Sequence, residues 1–235
     1  MTLQTALAVG AALVALAFSL STFERWLARR RRHELAWSAA LLLFALGAAS
    51  LASGAALGWS PTWFRLFYLF GAIVNVPFLA LGTIYLLAGP RRGDVAAAAI
   101  VVIAAFSAGV LAVAPITGPI VRDRLPQGSD VFGPLPRVLA AVCSAVGAAI
   151  VFGGAAWSAW RFRRGARLWS NVLIAVGTAV LAGSGVLNSV LDEMEAFSVT
   201  LTVGITVIFA GFLLATSGGG AAPSRPRSEG SRPGT

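Results

Sequence analysis

The chain has no lysine, one histidine and one cysteine, and only 11% of its 235 residues are charged. The lone cysteine, Cys143, excludes an intrachain disulfide. The lone histidine, His33, excludes bis-histidine haem ligation and a histidine-based metal cluster. Without lysine, neither a Schiff base to retinal nor a phosphate loop ending in Lys-Ser or Lys-Thr is possible. We therefore predict no metal, no cofactor and no enzymatic activity.

The chain is instead rich in long apolar stretches, and 57% of its residues are hydrophobic. A soluble globule would need many more ionisable groups, whereas a helix that crosses the hydrocarbon core needs about 20 apolar residues. Seven stretches meet that length: 4–21, 36–57, 65–88, 95–116, 137–160, 169–191 and 197–217. We predict an all-α, polytopic bundle of seven transmembrane helices over residues 1–217 and a disordered cytoplasmic tail over 218–235.

The arginines are concentrated in alternate gaps between these stretches. Fourteen lie in the first, third and fifth gaps and in the tail, against four in the other gaps: Arg65, Arg122, Arg124 and Arg137. Positive residues favour the cytoplasmic side, which predicts an external N-terminus and a cytoplasmic C-terminus, in a bacterial inner membrane. The net charge of +9 then indicates contact with anionic membrane lipids and not with nucleic acid.

Two further features support these boundaries. The first stretch has no basic region before it and an arginine cluster after it, which predicts a retained helix and not a cleaved signal peptide. The tryptophans fall at predicted boundaries, with Trp59 and Trp63 at an outer one. There we expect each indole ring to be half buried and its N–H to stay in contact with water.

The organisation of the chain allows more than one interpretation at two places. The fourth gap, 117–136, carries four prolines and three glycines, which exclude a continuous helix. It either lies as a lid across the outer mouth of the bundle or only bridges two distant helices. Trp37-Ser38 and Trp169-Ser170 each open an apolar stretch after a basic gap. This similarity indicates either two parallel three-helix repeats joined by the fourth helix, a 3+1+3 arrangement, or a chance likeness between apolar helices.

Polar side chains recur on the predicted sixth helix. Ser184, Asn188 and Asp192 share one face at four-residue spacing, and Glu195 follows at the outer end. A polar side chain is costly in hydrocarbon and is expected to face the bundle or a cavity. The pattern predicts an acidic mouth that binds a cation, a proton or a basic ligand. The alternative is a short loop whose acids lie in water.

The predicted third helix carries Asn75 and Pro77, the latter being the only proline well inside a span. Proline removes an N–H and frees a carbonyl one turn earlier. The Asn75 amide either repairs that backbone locally or lines a ligand pocket together with Tyr68 and the sixth-helix stripe. Arg65 begins this helix at the outer end. It, or Arg137 on the fifth helix, alternatively pairs with the sixth-helix acids.

Two stretches carry a resemblance: LFYLFGAIVNVPFLALGTIYLL, residues 66–87, and GVLNSVLDEMEAFSVTLTVGITVIFAGFLLA, residues 185–215. They resemble uncharacterised seven-helix integral membrane proteins of high-GC actinobacteria. The first is also loosely similar to the seven-helix membrane input regions of some bacterial histidine kinases. The resemblance implies a seven-helix fold, and it supplies no catalytic residues.

Three functions are consistent with these patterns. The first is a membrane-embedded binding or sensory module that acts through a membrane protein partner or a second copy of itself. The second is a small-solute transporter of the 3+1+3 type. Sugar transporters of that type carry a hinge proline in both halves, whereas Pro77 has no counterpart in the predicted seventh helix. The third is an accessory subunit that only packs against another membrane complex.

Overall fold

The described part of the chain is all-helical. The computed structural model describes residues 3–161, 172–173, 176–177, 180, 199, 202–208 and 210–211. Within these ranges the chain forms no β-strand, and five of its helices are long and apolar enough to cross a membrane. These five correspond to the first five predicted spans. The sixth and seventh, 169–191 and 197–217, lie outside the described residues apart from short fragments.

The helices follow one another with short connections at all but one place. They are α1 (Leu3–Arg29), α2 (Arg32–Leu57), α3 (Pro61–Phe67), a π-helical segment (Tyr68–Val74), α4 (Asn75–Ala88), α5 (Pro90–Val113), α6 (Gly128–Val131) and α7 (Pro134–Arg161). Together α3, the π segment and α4 form one continuous helix, Pro61–Ala88, which we call the third span.

The helix ends differ from the predicted ones by a few residues. Helix α1 continues to Arg29 instead of stopping at residue 21, because a helix retains its backbone hydrogen bonds after its side chains turn polar. In contrast, α5 ends at Val113 instead of residue 116. Ala114 precedes Pro115 and adopts an extended ψ of 127°, as expected for a residue before proline.

Antiparallel neighbours give the bundle two distinct ends. What we call the basic end holds the α1–α2 turn with Arg29–Arg32 and the α4–α5 turn with Arg91 and Arg92. An ion pair between Arg32 and Asp94 joins these two turns. What we call the loop end holds residues 114–133, between α5 and α7.

Small residues and a serine pair hold α1 against α2. Ala8, Ala11 and Ala15 are buried on one face of α1. Towards the basic end, the Ser19 hydroxyl donates to the Ser38 carbonyl at 2.9 Å, and the Ser38 hydroxyl donates to the Ser19 carbonyl at the same distance. Small side chains let backbones approach closely in lipid, and serines then bond across the helices.

The long loop at the loop end packs onto the helices. The Thr117 N–H donates to the Val131 carbonyl at 3.0 Å, and the Trp59 N–H donates to the Arg122 carbonyl at 3.0 Å. Val131 and Phe132 are almost completely buried. The loop therefore packs onto the described helices at the loop end, which favours the lid interpretation over a simple bridge between two helices.

Trp59 departs from its predicted environment. Its side chain is only 3% exposed, and its indole N–H has no hydrogen-bond partner in the described structure. The ring packs edge-on against Phe64 and Phe67. The expectation that this N–H stays in contact with water is therefore wrong, because the ring is buried against α2 at Gly54 and against the two phenylalanines.

The backbones of α2 and the π segment approach closely at Gly47 and Gly71. A Cβ on Gly47 would lie 3.0 Å from both the Cα and the N of Gly71. These two atoms belong to the backbone, which cannot move aside as the end of a flexible side chain can. Close packing at this site therefore requires that Gly47 have no side chain.

We expect Gly47→Ala to lower the free energy of unfolding by about 1–3 kcal/mol, because an added methyl overpacks the contact. Thermal unfolding of the purified protein in detergent measures this. The matched control is Gly109→Ala, where an added Cβ meets nothing within 4 Å. Equal melting temperatures for the two variants would contradict the contact.

Candidate functional site

The most unusual backbone in the described structure lies in the middle of the third span, where the π segment is followed by Asn75 and Pro77. We call this region the break. The segment Tyr68–Val74 is π-helical, a form in which hydrogen bonds run to the carbonyl five residues back instead of four, and such segments are frequent at functional sites. Pro77 follows it within one turn and has no N–H to offer to Ile73, four residues back, or to Ala72, five residues back. A carbonyl in the membrane interior then needs another donor.

That donor comes from a different helix. The Ser144 hydroxyl of α7 donates to the Ala72 carbonyl at 2.8 Å. One interpretation of the sequence was that the Asn75 amide bonds the carbonyl freed by Pro77. In the structure the donor at this place is the Ser144 hydroxyl instead. Since Ser144 belongs to α7, the break is stabilised by tertiary contact. The position of α7 and the shape of the break therefore depend on each other.

Asn75 itself has an unused hydrogen-bonding atom. Its side-chain oxygen is buried and has no hydrogen-bond partner in the described structure. The residue as a whole is only partly buried, so part of the side chain remains accessible. A buried acceptor without a donor costs free energy, so such a group in a native protein calls for an explanation, of which a functional role is one. This atom is the best candidate for contact with a ligand that carries a hydrogen-bond donor.

Helix α7 approaches the break with its smallest side chains. A Cβ on Gly147 would lie 2.8 Å from Cγ1 and 3.0 Å from the backbone carbon of Val76, next to Asn75. Cys143, Gly147 and Val151 are buried at four-residue spacing, which places them on one face. Cys143 is thus a small, buried side chain on the face of α7 that includes Gly147.

Tyr68 lies in a separate aromatic cluster at the loop end. The rings of Phe64 and Phe132 stack with their centroids 5.2 Å apart, and Tyr68 meets Phe132 edge-on at 5.1 Å. A Cβ on Gly128 would lie 2.8 Å from the Tyr68 hydroxyl oxygen. Tyr68 is therefore enclosed by the loop residues that cover the bundle.

The pocket predicted to be lined by Tyr68, Asn75 and the sixth-helix stripe stays a prediction, because the stripe lies outside the described residues. Residues seven apart share a face in an α-helix. The intervening π segment widens the turn and changes that register. Tyr68 contacts the aromatic cluster, and the Asn75 oxygen has no partner. The two residues are therefore not joined by a hydrogen bond to that oxygen.

Arg65 serves as a helix cap. Its guanidinium donates to the carbonyls of Ala112 at 3.2 Å and Ala114 at 2.8 Å, at the C-terminus of α5. The last carbonyls of a helix lack intrahelical donors, and a cation at that end also interacts favourably with the helix dipole. The proposed acidic partners of Arg65, Asp192 and Glu195, lie outside the described residues, as do Ser184 and Asn188.

Two buried polar groups were not predicted from the sequence. The Ser107 hydroxyl of α5 is fully buried and has no partner in the described structure. Glu34, in the first turn of α2, is only 6% exposed, and its Oε2 has no partner there either. A single serine in an apolar helix gives no pattern. Glu34 lies in an arginine-rich gap, where a solvated position is the natural expectation.

The basic end is organised around Asp94, a residue that the sequence did not single out. One guanidinium nitrogen of Arg32 donates to both oxygens of the carboxylate, and the Tyr85 hydroxyl donates to the Asp94 Oδ1 at 2.9 Å. These three residues begin α2, end α4 and begin α5. Asp94 therefore ties three helix ends together. Among the described residues, no three histidine, cysteine or acidic side chains lie close enough to hold a metal ion.

Comparison with known proteins adds no assignment to this geometry. No protein-family model matches the chain, and neither the curated proteins nor the solved structures give a match.

The contact between Ser144 and Ala72 can be tested by removing the hydroxyl. We expect Ser144→Ala to lower the free energy of unfolding by about 0.6 kcal/mol, the average for hydrogen bonds between membrane helices, and by no more than about 1.7 kcal/mol, the largest value measured for them. Chemical or thermal unfolding in detergent measures this. The control is Ser53→Ala, because the Ser53 hydroxyl bonds the Ala49 carbonyl of its own helix. A loss no larger than that of the control would show that α7 does not stabilise the break.

Proposed function

We propose that the chain is a membrane-embedded binding module. It takes a small ligand with a hydrogen-bond donor at the break in the third span, and it acts through a membrane protein partner. Five membrane-length helices support the membrane setting. The observation that carries the binding role is the buried, unpartnered side-chain oxygen of Asn75 beside the π segment.

The surroundings of Asn75 support binding in two ways. Broken helices at membrane depth occur where the irregular backbone is enclosed by protein or lines a cavity. Here the break is enclosed by Gly47 of α2 on one side and by Ser144 and Gly147 of α7 on another. A donor that bonds Asn75 would therefore act on a segment that α7 also contacts. A change in the break would reach α7 through the bond between Ser144 and Ala72.

Asn75→Leu tests the binding role through two effects of opposite sign. We expect it to stabilise the ligand-free protein by about 1 kcal/mol, because it removes a buried acceptor that lacks a donor. We also expect it to abolish stabilisation by any compound that binds the native chain. A thermal-shift screen of metabolites, run in parallel on the two proteins, measures both effects.

Tyr68→Phe is the matched control for this screen. It keeps the ring contacts of the aromatic cluster and removes only the hydroxyl, so it should respond to the same compounds as the native chain. The binding role is excluded if every stabilising compound acts equally on the native chain and on Asn75→Leu. Loss of the response in Tyr68→Phe as well would place the ligand nearer the loop end.

A transporter is the second candidate, and the break itself favours it. Transporters bind substrates at discontinuous helices near the midplane of the bilayer. Uptake of labelled solutes into liposomes that contain the protein separates the candidates. Uptake that Asn75→Leu abolishes supports transport, whereas a compound that stabilises the chain without being taken up supports the binding module.

The proposal includes seven crossings, with the N-terminus outside and the C-terminus in the cytoplasm. The arrangement of arginine supports this, because Arg29–Arg32, Arg91 and Arg92 all lie at the basic end. Fusions of a periplasm-active reporter to the N-terminus and a cytoplasm-active reporter to the C-terminus should both give signal. Signal from the same reporter at both termini would indicate an even number of crossings.

A further inference from the structure

Most of the arginines at the basic end have no acidic partner in the described structure. Asp94 accepts the ion pair from Arg32 and the hydrogen bond from Tyr85. Around this pair, five exposed arginines lie on the two turns that it joins, and no acidic partner for them is found in the described structure: Arg29, Arg30, Arg31, Arg91 and Arg92. The other acid in the α1–α2 turn, Glu34, is buried. The surface of the basic end is therefore strongly positive.

The backbone of the α1–α2 turn places one of these arginines at a strained position. Arg30 has a φ of +52°, a left-handed conformation that costs a side-chain-bearing residue about 1–2 kcal/mol. Its guanidinium lies 5.0 Å from the centre of the Trp26 ring. Glycine is the usual residue for this backbone shape. The turn thus carries an arginine where glycine would fold with less strain.

Apolar side chains are exposed next to the arginines. Val95 is 73% exposed one residue beyond Asp94, and Leu86 and Leu87 are exposed on the preceding turn of helix. On the other basic turn, Leu27 and Leu35 are exposed as well. The surface thus combines positive charge at the helix ends with an apolar region directly beside it. This combination matches a phospholipid, which has a charged headgroup and apolar acyl chains.

We propose that the basic end is a binding site for the headgroup of an anionic phospholipid of the surrounding bilayer. The lipid phosphate contacts the arginines of the α1–α2 and α4–α5 turns, and the acyl chains lie along the exposed leucine and valine side chains. Arginine suits this role because its planar guanidinium bonds phosphate oxygens in pairs. The site is distinct from the break at Asn75 and does not depend on the proposed ligand there.

Lipid binding by the full-length purified chain tests the proposal. Native mass spectrometry measures how tightly phosphatidylglycerol and phosphatidylcholine with the same acyl chains are retained. The native chain should prefer phosphatidylglycerol. Removing one arginine near an anionic surface weakens binding about fivefold, so Arg91→Gln with Arg92→Gln should weaken phosphatidylglycerol binding by about 25-fold. Phosphatidylcholine binding should not change.

Two controls distinguish a site from general attraction of charge. Arg122→Gln with Arg124→Gln removes the same charge from the loop end and should leave phosphatidylglycerol binding unchanged. Arg91→Lys with Arg92→Lys keeps the charge and should retain most of the binding. The proposal fails if the glutamine pair at the basic end binds phosphatidylglycerol as the native chain does, or if the loop-end pair loses it equally.

A second variant covers the case in which the first is poorly folded. Arg29→Gln with Arg31→Gln changes the neighbouring turn and leaves the pair of Arg32 with Asp94 in place. It should also weaken phosphatidylglycerol binding about 25-fold. Unchanged binding in this variant would restrict the site to the α4–α5 turn and would overturn the proposal of a shared site.

Discussion

Lipid offers no hydrogen bonds to a polypeptide, and this constraint explains the centre of the molecule. Each backbone carbonyl at membrane depth must find its donor within the protein. Pro77 cannot supply one to the residues before it. The Ser144 hydroxyl of α7 supplies one to Ala72 instead. A single proline therefore makes the third span dependent on a helix more than 50 residues further along the chain.

Close packing around the third span encloses part of its backbone within the protein. Three helices approach it through glycine, since a side chain would hold the backbones apart. Gly47 of α2 meets Gly71 of the π segment, Gly93 of α5 lies against Tyr85, and Gly147 of α7 lies against Val76. Of these contacts, those of Gly47 and Gly147 lie at the break, so α2 and α7 both pack against it. Enclosure by protein is the condition under which irregular backbone is tolerated in a membrane.

The sequence predicted what depends on composition and missed what depends on contacts. The first five spans were found because apolar length alone marks a membrane helix. Asn75 and Pro77 marked the position of the break. No local residue pattern predicted that the backbone there would be π-helical, because that geometry depends on packing against other helices.

The role of Arg65 and the donor Ser144 could not be predicted for a related reason. Arg65 reaches carbonyls almost 50 residues away in the chain, and Ser144 reaches one 72 residues away. Both contacts exist only after the helices have packed. A polar residue in a membrane helix signals that some partner is needed, but the sequence does not say which carbonyl is left without a donor.

Both ends of the third span are held by hydrogen bonds to other helices, and this bears on how a ligand at the break would act. At the basic end, Tyr85 of α4 is bonded to Asp94, which also holds Arg32. At the loop end, Arg65 of α3 donates to the carbonyls of Ala112 and Ala114 at the end of α5. Directional hydrogen bonds fix a position more tightly than apolar contacts do. With both ends held in this way, a change at Asn75 should act on the middle of the span, where the Ser144 hydroxyl of α7 bonds the Ala72 carbonyl.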